Sequence, residues 1–198
     1  MALGLRRDVV KLVEHDPKWK TEATKTIERL WQVFGSVAND IQHVGSTAIE
    51  NIKAKPIIDI VVAVDNFTCV ESLTPELEAN GFMQRSWYDD TQMLFAVGED
   101  VEPNDRITTH FIHIVKTDSV NWYEYIHFRD YLNSVPTIAS EYENIKTRLA
   151  VENPHDKRRE KYLAGKSGFI KQTLSDALSV FDIENREMRT AVKFHELH

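Results

Sequence analysis

HVGSTAIENIKAKPIIDIVV, residues 43–62, is the stretch on which the reading of the fold turns. A Gly45-Ser46 turn closes an alternating segment, Asp40 to Val44, and a lysine-proline step then leads into IIDIVVAV, 57–64. Pro56 biases Lys55 toward extended backbone. The run that follows is β-branched and almost wholly apolar, which predicts a central strand covered on both faces. One carboxylate interrupts it. A buried Asp59 is costly unless it is paired, hydrogen-bonded or bound to a cation. By strand alternation it shares a face with Ile57, Val61 and Ala63. Either Asp59 serves a site, or it sits at the strand's mouth bonded to a neighbouring loop. The turn also reads two ways. Glycine admits a ligand close to the backbone, and a serine hydroxyl with free amides at a helix start can hold phosphate oxygens; equally, a strand-to-helix turn needs a glycine and a cap. Thr47-Ala48-Ile49-Glu50 has the form of a capping box.

Outward from this stretch, DVVKLV, 8–13, reads as a short strand. Asp16 and Pro17 cap and start a helix carrying Ala23, Ile27, Leu30, Trp31 and Phe34 at helical spacing as far as about Val37. Residues 67–80 are helical in their second half and stop at Asn80-Gly81. Strands at 82–87 and 92–97 form a hairpin through Tyr88-Asp89-Asp90, and GEDVEPNDR, 98–106, reads as a loop. TTHFIHIV, 108–115, is the next strand. Helices follow at 120–133, 137–151 and 155 to about 180. The charged stretch 182–198 reads as a frayed helical tail. Mixed strands and helices followed by helices alone predict an α+β class, a mixed sheet flanked by helices with a helical C-terminal part. The expected organisation is a single domain over 1–198, with an α/β core of about 8–115 and a helical part of about 119–180.

Among chemistry-bearing residues, His110 and His113 lie an odd number apart on one strand and point to opposite faces. They cannot chelate one ion together, and at most one of them joins Asp59. His43, leading into the Gly-Ser turn, is the other companion. For His43 and His113 a metal ligand and a packed, hydrogen-bonded histidine both remain open, while His110 reads as packed. Lys55 either neutralises a phosphate or is solvated. KRREK, 157–161, reads as a solvated helix face. The aromatic residues Trp122, Tyr123, Tyr125, Phe128 and Tyr131 read as packing a helix onto the sheet.

The segment 43–62 resembles the signature of the GrpB family. HDPKW near the N-terminus, THFIHIV, FRDYLNSVPTIASEYENIKTRLA and KYLAGKSGFI follow in the family's order, so the resemblance covers about residues 8–175. It implies a nucleotidyltransferase-like fold, whose pattern is a Gly-Ser turn, a short helix and a strand with two acids one residue apart. Gly45, Ser46 and Asp59 match that pattern, and Val61 stands where the second acid belongs. Gln42, Glu50 and Asn51 stand where relatives often show Glu, Pro and Gly. On this resemblance Gly45, Ser46 and Lys55 would meet a phosphate or nucleotide. Arg129, Lys146 and Lys166, at positions the family fills with basic residues, would reach it over the sheet; Asp130 and Glu143 could instead pair with them. Asp59 would be the catalytic carboxylate and, with His113 or His43, would hold a divalent ion, Mg, Mn or Zn. A joined dephospho-coenzyme A kinase in some relatives hints at nucleotide or cofactor metabolism. The expectation is therefore a protein that binds a nucleotide or phosphorylated small molecule. It is either a metal-dependent nucleotidyltransferase with an incomplete acidic motif or an inactive binding or regulatory module of that fold. A second carboxylate near Asp59, such as Asp89, Asp90 or Glu50, would favour the enzyme.

Composition agrees with this class. Of 198 residues 42% are hydrophobic and 28% charged, as in a globular domain. The net charge of -7 argues against a dedicated nucleic-acid binder. A single cysteine cannot form an internal disulfide. With no long apolar run in the chain and none behind Arg6-Arg7, neither a membrane segment nor a signal peptide is expected. The expected location is cytoplasmic, and oligomeric state is open.

Overall fold

The computed structural model describes residues 3–88, 90–102 and 105–195. Strand β1 (Leu5–Arg6) precedes helix α1 (Lys18–Phe34), and β2 (Ala38–Val44) runs into a 3₁₀ turn at Ser46–Ala48. Then come β3 (Ile58–Val64), α2 (Phe67–Ala79), β4 (Met83–Tyr88), β5 (Gln92–Glu102) and β6 (Asp105–Lys116). Helices α3 (Val120–Ser134), α4 (Pro136–Glu152) and α5 (Glu160–His195) complete the chain. The sheet has the order β2-β3-β6-β5-β4, with β1 antiparallel to β6. Its one parallel pair among the described residues is β3 with β6, Asp59 lying beside Phe111 and Val61 beside His113. The architecture is the expected α+β one, a mixed sheet flanked by helices.

The period-2 pattern of β3 sorts its side chains as alternation requires. Ile58, Ile60, Val62 and Val64 join Trp19, Ala23, Leu30 and Phe34 of α1 in the main core. Val61, on the other face, packs with Val44 and Val115 against Trp122, Tyr125 and Ile126 of α3. Helices α3, α4 and α5 roof this second face. They meet one another through Leu132, Ala139 and Tyr142 with Phe169. At Gly165 of α5 a Cβ would lie 2.4 Å from Leu149 of α4, so the glycine permits this close approach. Of the five aromatic residues expected to pack, Tyr123 is instead 41% exposed and bonds Asp118.

Several expected elements differ. Residues 8–13 form no strand: Val9 and Val13 make single bridges to His155 and Ala54, and the sheet strand is Leu5–Arg6. The segment is rich in valine, as strands are, but among the described residues it makes only these two bridges. The stretch 98–106 is no loop, since β5 and β6 continue to Glu102 and from Asp105. Its acidic side chains misled because backbone pairing, not composition, extends the hairpin. Helix α2 spans all of 67–79, capped by Asn66, whose side chain accepts from Cys69 N. The capping box at 47–50 is not made. Thr47 Oγ1 instead hydrogen-bonds His43 Nε2, and Glu50 N donates to Asn133 Oδ1.

Candidate functional site

A cavity of about 540 Å³ opens between the second face of the sheet and α3–α5. Its floor is built from the opening stretch of sequence. Gly45 takes φ 71° and ψ -171°, backbone essentially reserved for glycine. A Cβ there would stand 2.5 Å from Asp59 Oδ2, so the turn glycine and the strand aspartate are one packing unit. Ser46 Oγ faces the cavity and donates to Tyr142 Oη at 3.5 Å.

Among the described residues, Asp59 has one side-chain hydrogen-bond partner. His113 Nε2 lies 3.3 Å from Asp59 Oδ1, across the parallel pair. Gln92 Nε2 donates to His113 Nδ1 at 2.9 Å, and Tyr125 Oη, 3.0 Å from the same nitrogen, donates to Gln92 Oε1 at 3.2 Å. The amide donor fixes His113 Nδ1 as an acceptor and Nε2 as the protonated nitrogen donating to Asp59. Burial pushes the Asp59 carboxyl up, but the His113 hydrogen bond and the cationic side chains of Lys55 and Lys166 outweigh it and hold it below the usual range.

One wall is basic. Lys55, Arg158, Arg159 and Lys166 line the cavity, and no carboxylate among the described residues lies within ion-pair distance of any of them. The other carboxylate in the lining, Glu124, is exposed. Burial, then the nearby positive charges of Arg159 and Lys166, brings the Lys55 ammonium down to about 7. Lys55 and Lys166 both lie over the Tyr162 ring, 5.0 and 5.6 Å from its centroid. Arg159 is buried, donating through Nε to Val9 O and through Nη2 to Arg6 O. Both arginines adopt positive φ, 56° and 59°, and Asp156 holds this kink by accepting from Tyr162 N at 2.8 Å. Phe111, Tyr125, Phe128 and Tyr142 supply aromatic surface to the same cavity, Tyr142 being stacked on Phe169 at 5.4 Å.

The structure thus gathers Gly45, Ser46, Lys55, Asp59, His113 and Lys166 around one cavity. It does not bring the other expected residues there. His43 is paired with Ile60 and so points to the α1 face, bonded to Thr47 and pushed down to about 4 by burial. Arg129 donates to Gln42 Oε1 and His43 O, tying α3 to β2. Lys146 is buried, donating to Lys53 O at 2.6 Å beside the Tyr142 ring. Of their expected acidic partners, Asp130 accepts from Arg129, whereas Glu143 accepts from Lys53 N. His110 packs against α1, bonded to Thr26. Arg158 and Arg159 were missed; the dense basic run KRREK was their only signal, and it reads the same whether it faces water or a cavity.

The resemblance implies a divalent ion, and the donor set does not fit one. Asp59 and His113 are engaged with each other, His113 Nδ1 is occupied by Gln92, and Val61 offers no oxygen. Among the described residues no three His, Cys, Asp or Glu side chains are placed to share a metal. Glu50 and Asp90 are exposed, and Asp89 lies outside the described residues.

Comparison with known proteins places this geometry. The family model described as GrpB protein matches residues 9–176. The chain belongs to the GrpB family. It is 38% identical over 176 residues to the glutamate-rich protein GrpB of Alkalihalophilus pseudofirmus, covering 88% of this chain and 99% of that one. It is 30% identical to the UPF0157 protein YqkA of Bacillus subtilis, covering 85% of this chain but only 47% of YqkA. The crystal structure of the conserved protein GrpB from Enterococcus faecalis superposes with a TM-score of 0.77 at 28% identity, over 86% of this chain and 99% of that one. No helix among the described residues of this GrpB chain is long and apolar enough to cross a membrane.

Proposed function

We propose that this GrpB-family protein binds a phosphorylated small molecule, a nucleotide or nucleotide-like coenzyme, in the cavity between the sheet and α3–α5. The observation that carries this reading is the basic wall: Lys55, Arg158, Arg159 and Lys166 meet at one cavity in a chain with 31 acidic and 24 basic residues. Cations held partly out of water without carboxylate partners are costly, and an anionic ligand offsets that cost. Gly45 and Ser46 bring a backbone turn and a hydroxyl to the same space, where phosphate oxygens would lie. The aromatic surface of Tyr125, Phe128 and Tyr142 suits a planar base. Asp59 would act as a positioning residue, fixing His113 and drawing Lys55 and Lys166 toward the cavity. The apolar Val61 favours binding over nucleotidyl transfer.

The test is a thermal-shift screen of nucleotides and coenzyme A precursors, with and without Mg²⁺, Mn²⁺ and Zn²⁺. A ligand at a hundred times its Kd adds about 2.7 kcal/mol to the native state. Stabilisation by a phosphorylated compound that disappears in Lys166→Ala and Asp59→Ala supports the reading. An unchanged Tm across the whole panel overturns it, and turnover of any hit returns the transferase.

A further inference from the structure

The mismatch between the cavity and a metal site has a constructive side, which rests on the reading above. A nucleotide bound as its magnesium complex brings its own counter-charge, and its site ordinarily offers carboxylates and waters to the ion. This cavity is built the other way round. Among the described residues its lining holds four basic side chains, of lysine and arginine, against two acidic ones. Of the acids, Asp59 is committed to His113 and Glu124 is exposed. The basic groups come from two separated parts of the chain: Lys55 ahead of β3, and Arg158, Arg159 and Lys166 at the start of α5. They nevertheless meet on one wall, Lys55 and Lys166 both lying over the Tyr162 ring, 5.0 and 5.6 Å from its centroid.

We propose that the cavity accepts the metal-free form of a di- or triphosphate-bearing ligand, with lysine and arginine supplying the neutralisation that a divalent ion supplies elsewhere. Arg158 and Lys166 are placed to grip the outer phosphate from the open side. Lys55 and the anchored Arg159 form the inner wall. A cation added to such a site meets positive charge at close range with Asp59 as the nearest carboxylate. Divalent ions then compete for the ligand in solution and do not assist it in the cavity.

The experiment measures binding of ATP and of inorganic tripolyphosphate by isothermal titration calorimetry, first in EDTA and then over increasing Mg²⁺. Both bind in EDTA, and excess Mg²⁺ weakens them by about tenfold or more, following the concentration of the uncomplexed anion. Lys166→Ala and Arg158→Ala, changes at half-buried and exposed side chains on α5 and the turn before it, each weaken binding in EDTA by about tenfold. Binding that appears only with Mg²⁺ and vanishes in EDTA overturns the inference while leaving the phosphate-binding reading intact. If the two variants bind as the parent does, the basic wall is not the recognition element, and the inference fails again. No binding of either compound under either condition, nor of any compound in the nucleotide and coenzyme screen, overturns both.

Discussion

Gly45 and Asp59 occupy one space between them, and most of what is distinctive here follows from that. Both were legible in the sequence: a glycine at a turn and a lone carboxylate in a buried run are rare enough to stand out. Gly45→Ala puts a methyl carbon 2.5 Å from Asp59 Oδ2 and forces alanine to a positive φ. The backbone strain alone costs about 1–3 kcal/mol; urea denaturation should show at least that loss, together with lost ligand binding. Lys55 shows the opposite balance. Its charge is disfavoured by burial and by Arg159 and Lys166, so Lys55→Met should stabilise the protein, by about 0.5–2 kcal/mol, while weakening ligand binding. Chemical denaturation beside calorimetry would show the two effects with opposite sign. Position alone did not reveal which basic residues reach the cavity. Arg129 and Lys146 carry the same charge as Lys166, yet backbone carbonyls of β2 and of the segment before β3 engage them first.

Helix α5 owes its starting geometry to Asp156, five per cent exposed, whose carboxylate accepts from Tyr162 N and whose carbonyl accepts from Arg159 N. The two arginines lie in the kink between those bonds. Asp156→Ala should cost about 1–2 kcal/mol as a lost cap and also weaken phosphate binding, since Arg158 and Arg159 lose their fixed path. Asp156→Asn, which keeps an oxygen acceptor, should restore part of both. Strand β3 was readable from its β-branched apolar run and β6 as the strand after it, and the two-residue period assigned His110 and His113 to opposite faces. The extension of β5 to Glu102 and of β6 from Asp105, and the place of KRREK, were not readable. The first is set by cross-strand pairing and the second by a meeting with residues 6–9, and neither leaves a mark in local periodicity.

Across the entire molecule, buried titratable groups set how stability follows pH. His43 and His110 are both held down to about 4, chiefly by burial, against 6.5 in the unfolded chain. Below pH 6.5 the unfolded state takes up protons that the native state refuses. Stability is therefore lost as pH falls toward 4, on the order of 3 kcal/mol per histidine when complete. Lys55 and Lys146, at about 7 against 10.5, act on the other limb. Their penalty is full below pH 7 and is relieved as pH rises toward 10.5. Urea midpoints should thus increase from pH 5 to 7 to 9, and the alkaline rise should flatten in a Lys55→Met, Lys146→Met double variant. Arg158 and Arg159 are moored to Arg6, Asp8 and Val9, some 150 positions earlier in the chain. Closing so long a loop is slow and cannot begin until residue 159 has been made. During synthesis all the strands of the sheet therefore exist before the arginines of the cavity wall do, and the cavity is closed only after both.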